Sequence, residues 1–130
     1  MALPLLLDPE VDLMLPIPPS ANKLWQPIKV APWMVRSKAY RAWETEAGWM
    51  AKRGKRKPIP KGPFGVMIVA GTPTGRRRDL DNLIKPILDL LHRQELTPDD
   101  KHCSMIMAAW SEQVDPFLVR VQATVHEGLV

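Results

Sequence analysis

Residues 65–70 read Gly-Val-Met-Ile-Val-Ala, an apolar run with no polar face. Strand side chains alternate between the two faces of a sheet, so a strand apolar at every position belongs at the sheet's centre. Pro58, Pro60, Gly62 and Pro63 precede it, and Gly71, Pro73 and Gly75 make its exit loop. The remainder of a 130-residue, 14.7 kDa chain has to supply its neighbours and its cover, which leaves room for one domain.

The rest of the chain reads in that light. Val11 to Ile17 carries Leu13, Met14 and Leu15 and ends at prolines, the pattern of a strand. Ser20 to Pro32 has no period and reads as a loop. Ser37 is a credible N-cap for a helix to about Arg53, with Ala39, Trp43, Ala47, Met50 and Ala51 on its apolar stripe. A second helix reaches about Arg93, with Leu83, Ile84, Ile87, Leu88 and Leu91 laid on a sheet. Pro86 requires either an irregular first turn or a kink. Cys103 to Trp110 reads as a strand, and from Phe117 a clean alternation puts Phe117, Val119, Val121, Ala123 and Val125 on one face. The expectation is an α+β domain over residues 11–130, with a mixed β-sheet of about four strands and two packed helices in the order β-α-β-α-β-β. Residues 1–10 are expected to be a flexible N-terminal arm.

Charge narrows the partner. The net charge is +4, and the cations cluster: Lys52, Arg53, Lys55, Arg56 and Lys57 in one place, Arg76, Arg77 and Arg78 in another. Two such clusters favour nucleic acid, with a membrane surface second. Asn22 and Lys23, near Trp25, suit contact with a phosphate backbone or a base face, although Trp25 and Trp33 also suit packing. A single cysteine, Cys103, allows no intrachain disulfide and fits a reducing compartment. The apolar start, Met1 to Leu7, lacks a basic flank and stops at Asp8, too short for a signal core or a span. A cytoplasmic protein without a membrane partner is expected.

The second basic cluster runs straight into Asp79-Leu80-Asp81-Asn82, with Lys85 following. If extended, Asp79 and Asp81 share a face with Cα atoms about 6.6 Å apart, close enough to serve one ion or a pair. Ligation by oxygen alone suits Mg²⁺ or Mn²⁺ rather than zinc. The tripeptide alone reads more readily as a helix cap at Asp81 or Asn82 and a turn residue at Asp79. Lys85 shifts the balance: with Asp81 four residues before it and Asp89 four after, all three share a helix face. Such a lysine can orient a hydroxide or stabilise a pentacovalent phosphate. Asp99 and Asp100 supply a third ligand if the chain folds back, and no Ser-His-Asp set can be argued, so metal-activated water is preferred to a covalent nucleophile.

With these residues in view, the chain resembles the RusA family of Holliday junction resolvases, especially its prophage members. Pro18-Pro19-Ser20-Ala21-Asn22 is similar to the family's Pro-Pro-Ser-x-Asn block, Arg77 to Lys85 to its central signature, and Asp99-Asp100 to its later acidic pair. The resemblance covers about residues 11–126. It implies a homodimeric, Mg²⁺-dependent endodeoxyribonuclease acting on four-way DNA junctions. By residue, it implies metal-binding aspartates at Asp79, Asp81 and Asp100, with Asp99 the fallback, and a catalytic lysine at Lys85. A DNA-binding module without catalysis, with Asp81 capping its helix, is the competing reading; a different metal phosphotransferase is a weaker one.

Overall fold

The computed structural model describes residues 6–19, 25–27, 34–72 and 79–127. Its elements are β1 (Val11–Pro16), β2 (Trp25–Pro27), β3 (Met34–Arg36), α1 (Lys38–Ala51), β4 (Lys55–Arg56), β5 (Phe64–Gly71), α2 (Asp81–Arg93), a 3₁₀ turn (Asp100–His102), β6 (Cys103–Ser111) and β7 (Leu118–Val125). The main sheet has five strands in the order β4-β1-β7-β5-β6. β5, buried along its whole length, pairs antiparallel with β7 and parallel with β6. Two parallel neighbours cannot be joined by a hairpin, and α2 is the crossover that connects them. This is the expected α+β architecture with two helices on a mixed sheet.

Both helices cover one face of the sheet. Val11, Leu13 and Leu15 of β1, Val66 and Ile68 of β5, and Val119 and Val121 of β7 form one core with Trp43 and Ala47 of α1 and Leu83, Ile87 and Leu91 of α2. Ser37 caps α1 as expected, its hydroxyl accepting from the Tyr40 N–H at 3.1 Å. The Trp43 indole N–H donates to the Pro16 carbonyl at 2.8 Å, tying α1 to the end of β1. The opposite face holds a smaller cluster of Met67, Val69 and Val114. There, Arg120 grips the Asp12 carboxylate with two bonds, of 3.1 and 2.8 Å, and Gln122 donates a third. Burial alone would raise the Asp12 pKa, but these bonds outweigh it and hold the carboxyl below its ordinary value. β5 closes on Gly71, where a side chain would collide with the Asp115 carbonyl oxygen.

Several local expectations are corrected. The stretch read as a featureless loop contains β2, which pairs with β3; strands of three residues are too short to show a period. The basic cluster after α1, for which no strand was expected, contains β4, registered on β1 through Val11–Arg56 and Asp12–Lys55. On β7 the alternation holds for Val119, Val121 and Ala123, but Phe117 precedes the strand and Val125 ends it, and both are exposed. On α1, Ala39 is exposed and Tyr40 takes its place in the core. The helix ends at Ala51 rather than Arg53. Within the expected arm, Leu6 donates its N–H to Gln122 at 2.8 Å, Asp8 pairs with Lys55, and the Glu10 carbonyl accepts from Lys57. Among the described residues no helix is long and apolar enough to cross a membrane.

Candidate active site

The start of α2 shows whether Asp81 or Asn82 caps the helix. Leu80 occupies the N-cap position, and its side chain makes no capping bond. The first turn is closed by backbone bonds of the tighter kind, Asn82 N–H to the Asp79 carbonyl at 3.2 Å and Leu83 N–H to that of Leu80 at 3.1 Å. This is the irregular first turn that Pro86 allowed, and the helix runs on through Pro86 to Arg93. Neither carboxylate is therefore spent on a cap. Both Asp79 and Asp81 are exposed, and Asp81 lies in the first helical turn, where the helix dipole favours negative charge.

Lys85 carries the connection to the distant acidic pair. Its ammonium sits 3.0 Å from the Asp89 carboxylate, one turn along α2, and 2.9 Å from that of Asp100. The hydrogen bond to Asp100, then that to Asp89, pushes the Lys85 pKa well above the ordinary lysine range. Lys85 thus remains a cation at any physiological pH.

Asp100 reaches Lys85 because the chain reverses at the end of α2. Glu95 adopts φ +59°, and its N–H bonds to the His92 carbonyl while that of Leu96 bonds to the Leu91 carbonyl, each at 3.0 Å. These two bonds around a left-handed residue form a Schellman cap. Leu96 is buried by the reversal, and its carbonyl accepts from Ile59 at 2.9 Å. The chain then passes to the 3₁₀ turn. Here the two neighbouring acids part roles. Asp99 caps the turn, accepting from the Lys101 N–H at 3.1 Å, which lowers its pKa, whereas Asp100 faces Lys85.

Among the described residues, no three His, Cys, Asp or Glu side chains gather into a metal-holding group. The structure joins Asp100 to Lys85 and Asp89, and it leaves Asp79 and Asp81 at the head of the same helix. The donors remain carboxylates throughout, the chemistry that suits a hard divalent cation. Asp89, read from the sequence only as a helix-face neighbour, is a direct partner of Lys85, and its i, i+4 spacing was the signal.

The basic residues separate. Lys52 and Arg53 are exposed at the end of α1, and Lys57 is exposed beyond β4. Lys55 is paired with Asp8 at 2.9 Å. Arg56 is half-buried and reaches Gln94 at 3.4 Å, which leaves it less open to a partner than its neighbours. Asn22, Lys23 and Arg76, Arg77 and Arg78 lie outside the described residues.

Comparison with known proteins places this geometry in a family. Residues 16–122, from the end of β1 into β7 and including Asp79, Asp81, Asp89, Asp99 and Asp100, match the family described as Endodeoxyribonuclease RusA. The chain is also similar to the crossover junction endodeoxyribonuclease rusA of Enterobacteria phage HK97, with 28% identity over 92 residues, 71% of this chain and 75% of that protein. A match over most of the chain, containing both the acidic helix start and the acid that folds back onto it, is a family assignment: the chain belongs to the RusA endodeoxyribonucleases.

Proposed function

We propose that this endodeoxyribonuclease resolves four-way DNA junctions at the head of α2, using Asp79, Asp81, Lys85 and Asp100. The observation that supports the site most directly is the clamp on Lys85, which draws Asp100 to the helix that opens with Asp79 and Asp81. Asp79, Asp81 and Asp100 are the residues that would hold Mg²⁺, with Mn²⁺ an acceptable substitute. Such an ion supplies Lewis-acid polarisation of the phosphodiester and lowers the pKa of water.

The protein groups supply the rest. Hydrolysis adds a water oxygen to phosphorus and breaks one P–O ester bond, with a proton going to the departing alkoxide. Negative charge grows on the non-bridging oxygens as this happens. Lys85, held as an ammonium, cannot act as a base; it stabilises that charge, and Asp89 and Asp100 fix its position. Asp100 is preferred to Asp99 because the latter's carboxylate is occupied by the Lys101 N–H.

A four-way junction has two-fold symmetry, so a C₂ homodimer would set two such sites on opposed strands and release two nicked duplexes. Asn22, Lys23, Lys52, Arg53, Lys57 and the triplet Arg76, Arg77 and Arg78 are the proposed phosphate contacts, with Lys55 and Arg56 the weaker members of their cluster. The test is cleavage of a labelled synthetic four-way junction with Mg²⁺, with Mn²⁺, and with EDTA. Paired nicks with either metal and none with EDTA are expected. A protein that binds the junction yet leaves it intact in both metals is the non-catalytic module instead.

A further inference from the structure

Because both helices cover the same face of the sheet, their outward stripes face the same solvent. On α2 that stripe includes Asp81 and Lys85. On α1 and the residues just past it, the exposed positions include Lys38, Arg41, Trp49, Lys52 and Arg53, with Glu46 among them. Four cations against one carboxylate make this a positive face. At its middle stands a large apolar ring: Trp49 is 66% exposed, and the Lys52 ammonium lies 4.4 Å from its centroid. The sheet side of the helix has its aromatic anchors in Tyr40 and Trp43, stacked 5.8 Å apart, and Trp49 is not part of that core.

The two stripes are also close. Lys85 and Arg93 are eight residues apart on α2, about 12 Å at 1.5 Å per residue, and Arg93 pairs with Glu44 of α1. Trp49 is five residues further along α1, so both features fall within about one 34 Å turn of a DNA duplex. An exposed indole on a lysine- and arginine-rich face, without a matching set of acids, fits a polyanion with accessible aromatic faces better than it fits a protein surface.

We propose that the outward face of α1 is the surface along which one arm of the branched substrate lies, Lys38, Arg41, Lys52 and Arg53 taking phosphates and Trp49 stacking on a base face exposed at the branch. The inference rests on the resolvase reading above and adds to it a determinant of selectivity. A continuous duplex offers few open base faces, so Trp49 contributes to junction binding and little to duplex binding, whereas the cations contribute to both.

The test is equilibrium binding of a four-way junction and of a linear duplex in Ca²⁺, using wild type, Trp49→Ala, Trp49→Phe and the double variant Lys52→Ala/Arg53→Ala, with melting curves and light scattering for each. Trp49→Ala is expected to raise the junction Kd about 5- to 150-fold, the range of one base–aromatic stack. Its duplex Kd should stay within about twofold, Trp49→Phe should retain most of the junction affinity, and all variants should melt close to wild type. The double variant should lower the slope of log K against log salt by about 1.8. Junction binding within twofold of wild type in Trp49→Ala, while the wild type binds and cuts, overturns this inference alone. A change of oligomeric state in Trp49→Ala also overturns it, making the face a protein interface. Wild-type protein that binds no junction overturns the resolvase reading together with it.

Discussion

Replacing Asp100 by asparagine separates a catalytic group from a structural one. In the native protein the Asp100 carboxylate accepts from Lys85 at 2.9 Å, and the two side chains are 36% and 65% exposed. An ion pair that open to solvent contributes roughly 0.2–1 kcal/mol. Lys85 keeps Asp89 at 3.0 Å, so the substitution strands no charge. For 130 residues, an unfolding entropy of about 2.1 cal/mol/K per residue converts 1 kcal/mol into a fall of about 4 °C in Tm. The raised Lys85 pKa gives the sign of its pH dependence. Its contribution is fully present below the unfolded value, about 10.4, and is lost only as pH rises through the higher folded value, so the stability difference stays flat from about pH 6 to 9. Cleavage should behave otherwise. Loss of a charged group at the reacting phosphate costs on the order of 100-fold or more. Calorimetry and single-turnover junction cleavage on Asp100→Asn check both halves. A fall of more than about 10 °C would make Asp100 a fold element, and cleavage within threefold of wild type would remove it from the site.

Two further substitutions test the frame around the site. Glu95→Gly relieves the left-handed residue of the Schellman cap and should stabilise the protein by about 0.5–1 kcal/mol, read as a higher denaturant midpoint, with junction cleavage retained; destabilisation would show that Glu95 makes contacts worth more than its backbone strain. Asp12→Asn should cost about 1–2 kcal/mol at pH 7 by weakening the grip of Arg120. The folded Asp12 pKa lies below the unfolded value of about 3.9, so this advantage is present above about pH 4 and disappears as pH falls through the folded value. Denaturant midpoints of both proteins at pH 7 and pH 3 check it, and a gap unchanged by acid would contradict the assignment.

The fold was legible where a residue's fate depends on its own neighbours in sequence. β5 could be read from Val66 to Ala70 because a strand apolar on both faces has one place to go, and the α2 stripe from Leu83 to Leu91 because its period is helical. β2, β3 and β4 could not be read: two or three residues carry no period, and their partners decide them. The site divides along the same line. Asp81, Lys85 and Asp89 follow from helical spacing alone. The meeting of Lys85 with Asp100 does not, because it depends on the parallel placement of β6 and on a reversal built at Glu95, a residue type that does not advertise a left-handed turn. Family resemblance pointed to Asp100, and the geometry supplies a physical reason to prefer it to Asp99. The tertiary fate of Arg56, half-buried against Gln94 rather than facing solvent, was equally invisible in a run of lysines and arginines.

The central claim is that the acids at the head of α2 perform strand cleavage rather than serve the helix. Wild type and Asp81→Asn, assayed side by side on one synthetic four-way junction in Mg²⁺ with binding measured in Ca²⁺, test it most directly. Junction affinity within a fewfold of wild type is expected, with a melting temperature lowered by no more than about 4 °C, since no helix cap is lost and only a helix-dipole interaction of about 0.3–1 kcal/mol is removed, and cleavage reduced on the order of 100-fold or more. Paired nicking by Asp81→Asn at the wild-type rate would contradict it.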